Sequence, residues 1–252
     1  MYEIKNKVAV ITGSGRGIGR EIAIALSKNG SKVVVNVKKR VEDGLKTLEE
    51  VKKYSDGILV QSDVSNREGC EKLVSETISN FQGCDILINN AGISIASKFL
   101  ESDDRLINKI FTTNVMSTIY CSQSFGKIMR NGVIINISSI AGLKPMKFLS
   151  IYGMSKAAII SLTKYLAVEL AENNIRVNSI APSVVKTVMG ESLLNLLNMN
   201  DDEYANRYTL TKKIILPEDI AESVLFLIKN DSITGETLVI DSGQNIIDIF
   251  NR

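Results

Sequence analysis

The sequence predicts an α/β fold in which a doubly wound sheet of seven mainly parallel strands carries helices on both faces. Three observations support that fold class. Short runs of branched apolar residues recur between stretches of helical periodicity, and each run is continuously apolar rather than alternating, the mark of strands covered on both faces. The first run passes through a glycine-rich turn straight into a helix, as a parallel βαβ unit begins. The chain has 252 residues, 44% of them hydrophobic, which suits one large core in a single domain spanning 1–252.

Val8–Ile11 is the first predicted strand, and Thr12-Gly13-Ser14-Gly15-Arg16-Gly17-Ile18-Gly19 follows it into a helix beginning near Arg20. Glycines here permit a tight turn, close approach of a pyrophosphate to bare backbone and close packing of helix on strand. The helix N-terminus then offers unpaired N–H groups and a positive dipole end. The spacing is Gly-x-x-x-Gly-x-Gly; a turn that merely packs the helix is the plainer alternative, and the order strand, turn, helix favours the nucleotide. The second strand, Lys32–Asn36, ends in Asn36, Val37, Lys38 and Lys39, with no carboxylate before Glu42. An acidic residue there would grip a ribose 2′-OH, whereas Arg16 and Lys38 suit a 2′-phosphate, so the sequence predicts NADP(H) over NAD(H).

The third strand, Ile58–Gln61, runs into Ser62-Asp63-Val64, where Asp63 is placed either to receive an adenine amino group or to cap the following helix. The fourth, Ile86–Asn89, opens the Asn89-Asn90-Ala91-Gly92 turn, and the fifth, Val133–Ile137, ends in Ser138-Ser139. Adjacent side chains at a strand end face opposite ways, so only one of these serines can share a site with the next helix. That helix is predicted over Ser150 to Ala171. Tyr152 and Lys156 stand four residues apart on one of its faces, a phenol beside an ammonium. A tyrosine has an ordinary pKa of about 10, and a cation within ~4–6 Å favours the phenolate by about 1–3 pH units, which makes the pair a proton-transfer device. The motif alone is cheap, since Tyr208 and Lys212 repeat it with no chemistry around them.

Arg176–Ile180 is the sixth strand and Thr237–Ile240 the seventh. Between them, from Val188 to Leu216, the strand–helix rhythm lapses into two short amphipathic pieces, Glu191–Leu197 and Asp201–Tyr208, before Pro217-Glu218-Asp219 starts a clean helix. Segment 188–216 follows a strand carboxyl end, where open α/β sheets bind ligands, and is predicted to be a substrate lid. Its Leu193, Leu194, Leu196, Leu197 and Met199 would suit an acyl chain or a ketone, or ordinary packing against the domain.

Composition removes several functions. The chain has no histidine, so imidazole zinc sites and Ser-His-Asp or Cys-His hydrolases are excluded. A formal charge of +2 with interspersed signs, Lys38-Lys39-Arg40 being the only tight basic triplet, points away from nucleic acid and membrane surfaces. Cys70, Cys84 and Cys121 are odd in number and widely spaced, which fits reduced thiols. With a polar N-terminus and no apolar run near the ~20 residues of a membrane span, the sequence predicts a cytoplasmic protein.

Taken together, these residues resemble the short-chain dehydrogenase/reductases of the single-domain, Rossmann-type class, end to end: Thr12–Gly19, Asn89–Gly92, Asn114, Ser138-Ser139, Tyr152-x-x-x-Lys156, the Asn178–Pro182 run and Ile233-Thr234-Gly235. The resemblance implies four catalytic positions. Ser139 would hydrogen-bond the substrate oxygen, Tyr152 would give it a proton or take one, and Lys156 would hold the nicotinamide ribose and lower the tyrosine pKa. Asn114 would anchor a water in a proton relay. It also implies a cofactor site on Gly13, Ser14, Arg16, Gly17, Ile18 and Gly19, on Asn36, Lys38, Asp63 and Val64, and on Asn90, Ala91 and Gly92. Tyr152 and Lys156 join that site, with Pro182, Val185 and Thr187 taking the carboxamide. Ser183 and Ser242 stand where the family usually has glycine, a source of strain if φ is positive there.

Within the family the resemblance is closest to the β-ketoacyl-acyl carrier protein reductases, which use NADPH. They dock an acidic carrier protein on a basic patch beside the active site; Arg130 fits one of its arginines and Asn173 replaces the other. Alternatives are a secondary-alcohol, ketone or sugar dehydrogenase, and a non-catalytic nucleotide-binding regulator. The resemblance further implies a homotetramer built through the helix of Tyr152, the helix before it and the C-terminus, with which the apolar tail Ile246-Ile247-Asp248-Ile249-Phe250 agrees.

Overall fold

In a computed structural model describing residues 1–247, seven strands form one sheet in the order β3-β2-β1-β4-β5-β6-β7, all parallel. They are β1 Val8–Ile11, β2 Lys32–Val37, β3 Gly57–Gln61, β4 Ile86–Asn89, β5 Val133–Ile137, β6 Arg176–Pro182 and β7 Thr237–Ile240. Every predicted strand is present, with β2 and β3 longer by one residue and β6 by two. The extension of β6 comes from pairing with β7, which holds Ala181 opposite Val239 and Pro182 opposite Ile240.

The continuous apolar runs are explained by the two faces. Along β1 and β2, Ala9, Ile11, Val33 and Val35 pack with Ile22 and Leu26 of α1 (Gly17–Lys28) and with Val224 and Ile228 of α9 (Pro217–Lys229). Val10 and Val34 face the other way, onto Leu73 of α3 (Arg67–Phe81) and Phe125 of α5 (Ser117–Gly126). Each such valine, leucine, isoleucine or phenylalanine contributes about 1.5–3 kcal/mol of burial, and that demand from both sides leaves few positions free to be polar. Polar exceptions pair with one another: buried Asn89 donates through Nδ2 to Asn136 Oδ1 (2.8 Å), and Asn136 Nδ2 to Thr163 Oγ1 of α6 (Ser150–Glu169) (2.9 Å). Strand order reverses between β1 and β4, which opens a crevice at their carboxyl ends.

Three helical segments depart from a plain reading. The helix before β5 is α4 (Asp104–Phe111) continued through one π-helical turn, Thr112–Met116, into α5; Asn114 lies in that turn. The Tyr152 helix, α6, spans Ser150–Glu169 and is followed by a separate 3₁₀ turn, Ala171–Asn173. In the predicted lid, α7 covers Val188–Leu196, starting three residues earlier than its periodicity suggested because the Thr187 side chain caps it by accepting from Gly190 N (3.2 Å). α8, Asp201–Tyr208, begins as expected, behind an Asn200–Glu203 capping box. The remaining helix, α2, is Val41–Val51. Of the apolar tail, Asp248, Ile249 and Phe250 lie outside the described residues. No helix among the described residues is long and apolar enough to cross a membrane.

Candidate active site

All the predicted site residues except Ser14 and Asn114 line one cavity of about 880 Å³ at the carboxyl ends of the strands, running from the glycine turn past Lys38 and Asp63 to Ser139, Tyr152 and α7. At the turn, α1 begins at Arg16 with no side-chain cap, so its first N–H groups are left to the cavity. Gly19 has to be glycine: a Cβ there would collide with Asn90 Nδ2 and lie 2.8 Å from Gly13 O. A bare turn against an uncapped helix end is the cradle a pyrophosphate fits, and the residues present suit a dinucleotide.

Several predicted cofactor contacts also hold the cradle together, and one, Ser14, lies behind it. Ser14 is buried; its hydroxyl donates to Ile11 O (2.7 Å) and accepts from Asn36 N (3.1 Å). Asn36, expected near the ribose, is almost wholly buried. Its Oδ1 accepts from Gly13 N, and its Nδ2 bonds Val60 O and the backbone and hydroxyl oxygens of Ser62, tying the glycine turn to β3. Asp63 caps no helix; Asn66 caps α3 instead. Asp63 Oδ1 takes the N–H and hydroxyl of Ser65, while Oδ2 lies 2.6 Å from Lys38 Nζ. Lys38 and the Ser65 contacts hold the Asp63 carboxyl below its ordinary range against its partial burial. The ammonium meant for a 2′-phosphate is therefore kept at the rim by a carboxylate.

At the other end, Ser139 and Tyr152 meet because α6 lies hard against the turn that follows β5. Gly153 permits this: a Cβ there would stand 2.6 Å from Ala141 O. Ser139 Oγ accepts from Ala141 N (3.1 Å) and donates to Pro182 O (3.4 Å). Ser138 points the other way, as strand alternation requires, onto Ser179 Oγ (2.6 Å) and Ile180 O (2.9 Å). One turn along α6 from Tyr152, buried Lys156 donates to Ile137 O (2.8 Å), with Nζ 5.7 Å from the Tyr152 ring centre.

The expected acid shift of the phenol is overturned. Burial pushes Tyr152 above its ordinary value, with the Ser139 hydroxyl beside it pulling the other way. The lysine itself is lowered to about 8 by burial. Desolvation outweighs mutual attraction because both groups are inside, where a charge costs more than a neighbour at this separation returns. Near neutral pH the pair is a neutral phenol beside an ammonium.

Asn114 sits behind the cavity. Its Oδ1 accepts from Ile93 N (2.8 Å) and its Nδ2 donates to Ile93 O (3.0 Å) and Ser155 Oγ (3.0 Å), clamping the segment after β4 to α6. One lone pair of its side chain is left for a water. Thr187, expected to bind a carboxamide, spends its hydroxyl as the α7 cap and on Val185 O (3.3 Å). Ser183 has no positive φ and carries no strain; Ser242 does, at +53°. The five apolar lid residues separate: Leu193 lines the cavity, Leu194 and Met199 pack with Tyr204, and Leu196 and Leu197 are exposed. Arg130 and Asn173 lie near the amino ends of β5 and β6, at the edge of the sheet away from the cavity, and so do not flank it.

Sequence reasoning missed the group behind the lid. Gln244 Oε1 accepts from both Ser183 Oγ (2.6 Å) and Tyr204 Oη (2.9 Å). No local pattern announces it, because its members lie up to 61 residues apart.

A sequence model of the enoyl-(acyl carrier protein) reductases matches residues 13–245. A short chain dehydrogenase/reductase of Aspergillus oryzae is 34% identical over 255 residues, covering 98% of this chain and 97% of its own length. A 3-oxoacyl-[acyl-carrier-protein] reductase of Synechocystis is 31% identical over 251 residues, covering 97% and 99%. The crystal structure of L-sorbose reductase from Gluconobacter frateurii, complexed with NADPH and L-sorbose, is similar with a TM-score of 0.91 at 29% identity, covering 98% of this chain and 100% of that one.

Proposed function

The chain belongs to the short-chain dehydrogenase/reductase family of oxidoreductases, and we propose that it reduces a ketone with NADPH, a 3-oxoacyl thioester being the first candidate. The observation that carries this reading is the convergence of Ser139, Tyr152 and Lys156 on the cavity whose far end is the uncapped glycine turn. A bound nicotinamide supplies the hydride; the protein supplies position and the proton.

Ser139 orients the ketone oxygen through its hydroxyl, and Tyr152 gives that oxygen a proton as negative charge develops on it. A phenol kept neutral by burial is in the right state to be the donor. Lys156 holds the ribose and, still charged below about 8, is the nearest source from which the phenol regains its proton. Asn114 holds the segment after β4 against Ser155, next to Lys156, and its remaining lone pair takes the relay water.

Arg16 and Lys38 at the cavity rim support NADPH, with Asp63 holding the Lys38 ammonium in place. The cavity lining includes Ala141, Met146, Leu149, Val184, Val188, Met189 and Leu193, which suit an apolar chain, beside polar Ser94, Ser183 and Glu191. A second reading, a small polyhydroxy ketone, is favoured by the fold likeness to L-sorbose reductase. Exposed Met154, Tyr165 and Val168 on α6 support assembly into a homotetramer through that helix. Oxidation of NADPH and NADH is followed with acetoacetyl thioesters, simple ketones and ketoses. Turnover of the thioester with NADPH is expected; turnover of ketoses alone selects the second reading. Tight NADPH binding with no carbonyl reduced would leave a non-catalytic nucleotide-binding protein.

A further inference from the structure

Segment 188–216 packs Leu194 and Tyr204 on Val184 in a small hydrophobic cluster, and joins the core that flanks the sheet through Ile215 near its far end. An ion pair from Lys186 Nζ to Asp201 Oδ2 (2.9 Å) ties the start of α8 to the chain after β6, and a second polar joint lies beyond β7. Beyond β7, Ser242 and Gly243 both take positive φ, turning the chain so that Gln244 points inward, only 8% exposed. Asp241 fixes the turn by accepting from Gly243 N (2.9 Å) and Asn245 N (2.6 Å).

Four segments meet on this turn. Tyr204, 2% exposed, reaches Gln244 Oε1 from α8, and Ser183 reaches the same oxygen from the end of β6. Lys144 Nζ, from the segment between β5 and α6, donates to Gln244 O (3.1 Å) and Asn245 O (3.4 Å). Leu210 N, at the end of the lid helices, donates to Ser242 O (2.8 Å) and its side chain lies where a Cβ on Gly243 would sit, at 2.7 Å. The neighbour of Ser183, Pro182, accepts from Ser139.

We propose that Gln244 is a positioning residue: its side-chain oxygen latches the lid, through Tyr204, to the strand end that carries Ser183, and so sets Val188, Met189 and Leu193 against the ketone. The assignment rests on the reductase reading for its effect on substrate, and on the hydrogen bonds alone for its effect on the lid. Because both partners donate to one oxygen, the side chain must accept and need not donate. A hydrogen bond holds only at one distance and direction, so it fixes the cover where apolar contact would let it slide.

Three variants separate the latch from simple packing. Gln244→Met keeps the volume and loses the acceptor; the KM for the ketone should rise about tenfold, with kcat at saturation and NADPH affinity changed less than about threefold. Gln244→Glu keeps an acceptor and should restore the KM to within about threefold of the native value. Tyr204→Phe, which removes one of the two donors, should raise the KM less than Gln244→Met and add little to it in the double variant. Amide hydrogen exchange, read without substrate, should quicken across 188–216 in Gln244→Met and not in the sheet. Native KM and native exchange in Gln244→Met would overturn the latch while leaving the reductase reading intact, as would a Gln244→Glu protein as impaired as Gln244→Met. If the native protein reduced no carbonyl, that reading would fall, and the exchange measurement would still decide the latch.

Discussion

Replacing Lys156 by methionine should destroy turnover and make the protein more stable. The lysine is buried and its pKa falls from 10.5 to about 8, a cost of about 3 kcal/mol for holding its charge inside the folded chain at neutral pH. Methionine has nearly the same reach and no charge to desolvate. Against the gain stands the lost bond from the ammonium to Ile137 O, worth about 1.5–3 kcal/mol for a charged donor. A net gain of up to about 1.5 kcal/mol, at about 2–4 °C per kcal/mol for a chain of this length, raises Tm by up to about 3–6 °C. The pH dependence follows with a definite sign. Between about 8 and 10.5 the unfolded chain keeps a proton that the folded lysine has released, so the native protein gains stability as pH rises through that window and the variant does not. The variant's advantage should be full at pH 7 and largely gone at pH 10.5. Thermal unfolding of both proteins, free of cofactor, at the two pH values measures it. A variant less stable than native at pH 7, or an advantage that does not shrink with pH, refutes the assignment of the cost to the buried ammonium.

Ser139→Ala should lower kcat by about 10²–10³-fold, whereas Ser138→Ala, which loses bonds to Ser179 and Ile180 O, should cost about 1–2 kcal/mol of stability and leave kcat within about threefold; steady-state rates with unfolding curves separate the two. Tyr152→Phe should cost about 10²–10⁴ in kcat with NADPH affinity retained by fluorescence titration. For ketone reduction, kcat/KM should fall as pH rises past about 8, where Lys156 loses its proton, and a profile level to pH 10 would deny the lysine that part. Arg16→Ala combined with Lys38→Ala should cut kcat/KM for NADPH at least tenfold more than for NADH, and an equal loss for both would remove these residues from cofactor choice.

The strands were legible because apolar continuity is a local property that burial on both faces enforces residue by residue, as at Val8–Ile11 and Ile86–Asn89. The pairing of Tyr152 with Lys156 was legible because helical periodicity alone puts them on one face. The same rule gives Tyr208 and Lys212, which the structure separates from any chemistry: Tyr208 packs against Tyr204 with ring centres 5.1 Å apart and tilted by 45°, and Lys212 donates to Asn206 O. What the sequence concealed are the commitments made between distant segments. Asn36 reads as a ribose contact until β3 comes alongside and takes its amide, and Lys38 reads as a free cation until Asp63 arrives 25 residues later. The direction of the Tyr152 shift was hidden for a related reason, since the depth at which a proton sits is a property of the whole packed molecule.

The π turn at Thr112–Met116 gives the continuous helical stretch from Asp104 to Gly126 one residue more than regular winding needs. Deleting a residue there would leave a smoother rod, with every amide matched to the carbonyl four places back, yet swing Asn114 about 100° around the axis and away from Ile93 and Ser155. The irregularity is thus kept against the helix's own preference, and a shortened chain that folds more readily while turning over nothing would be its signature.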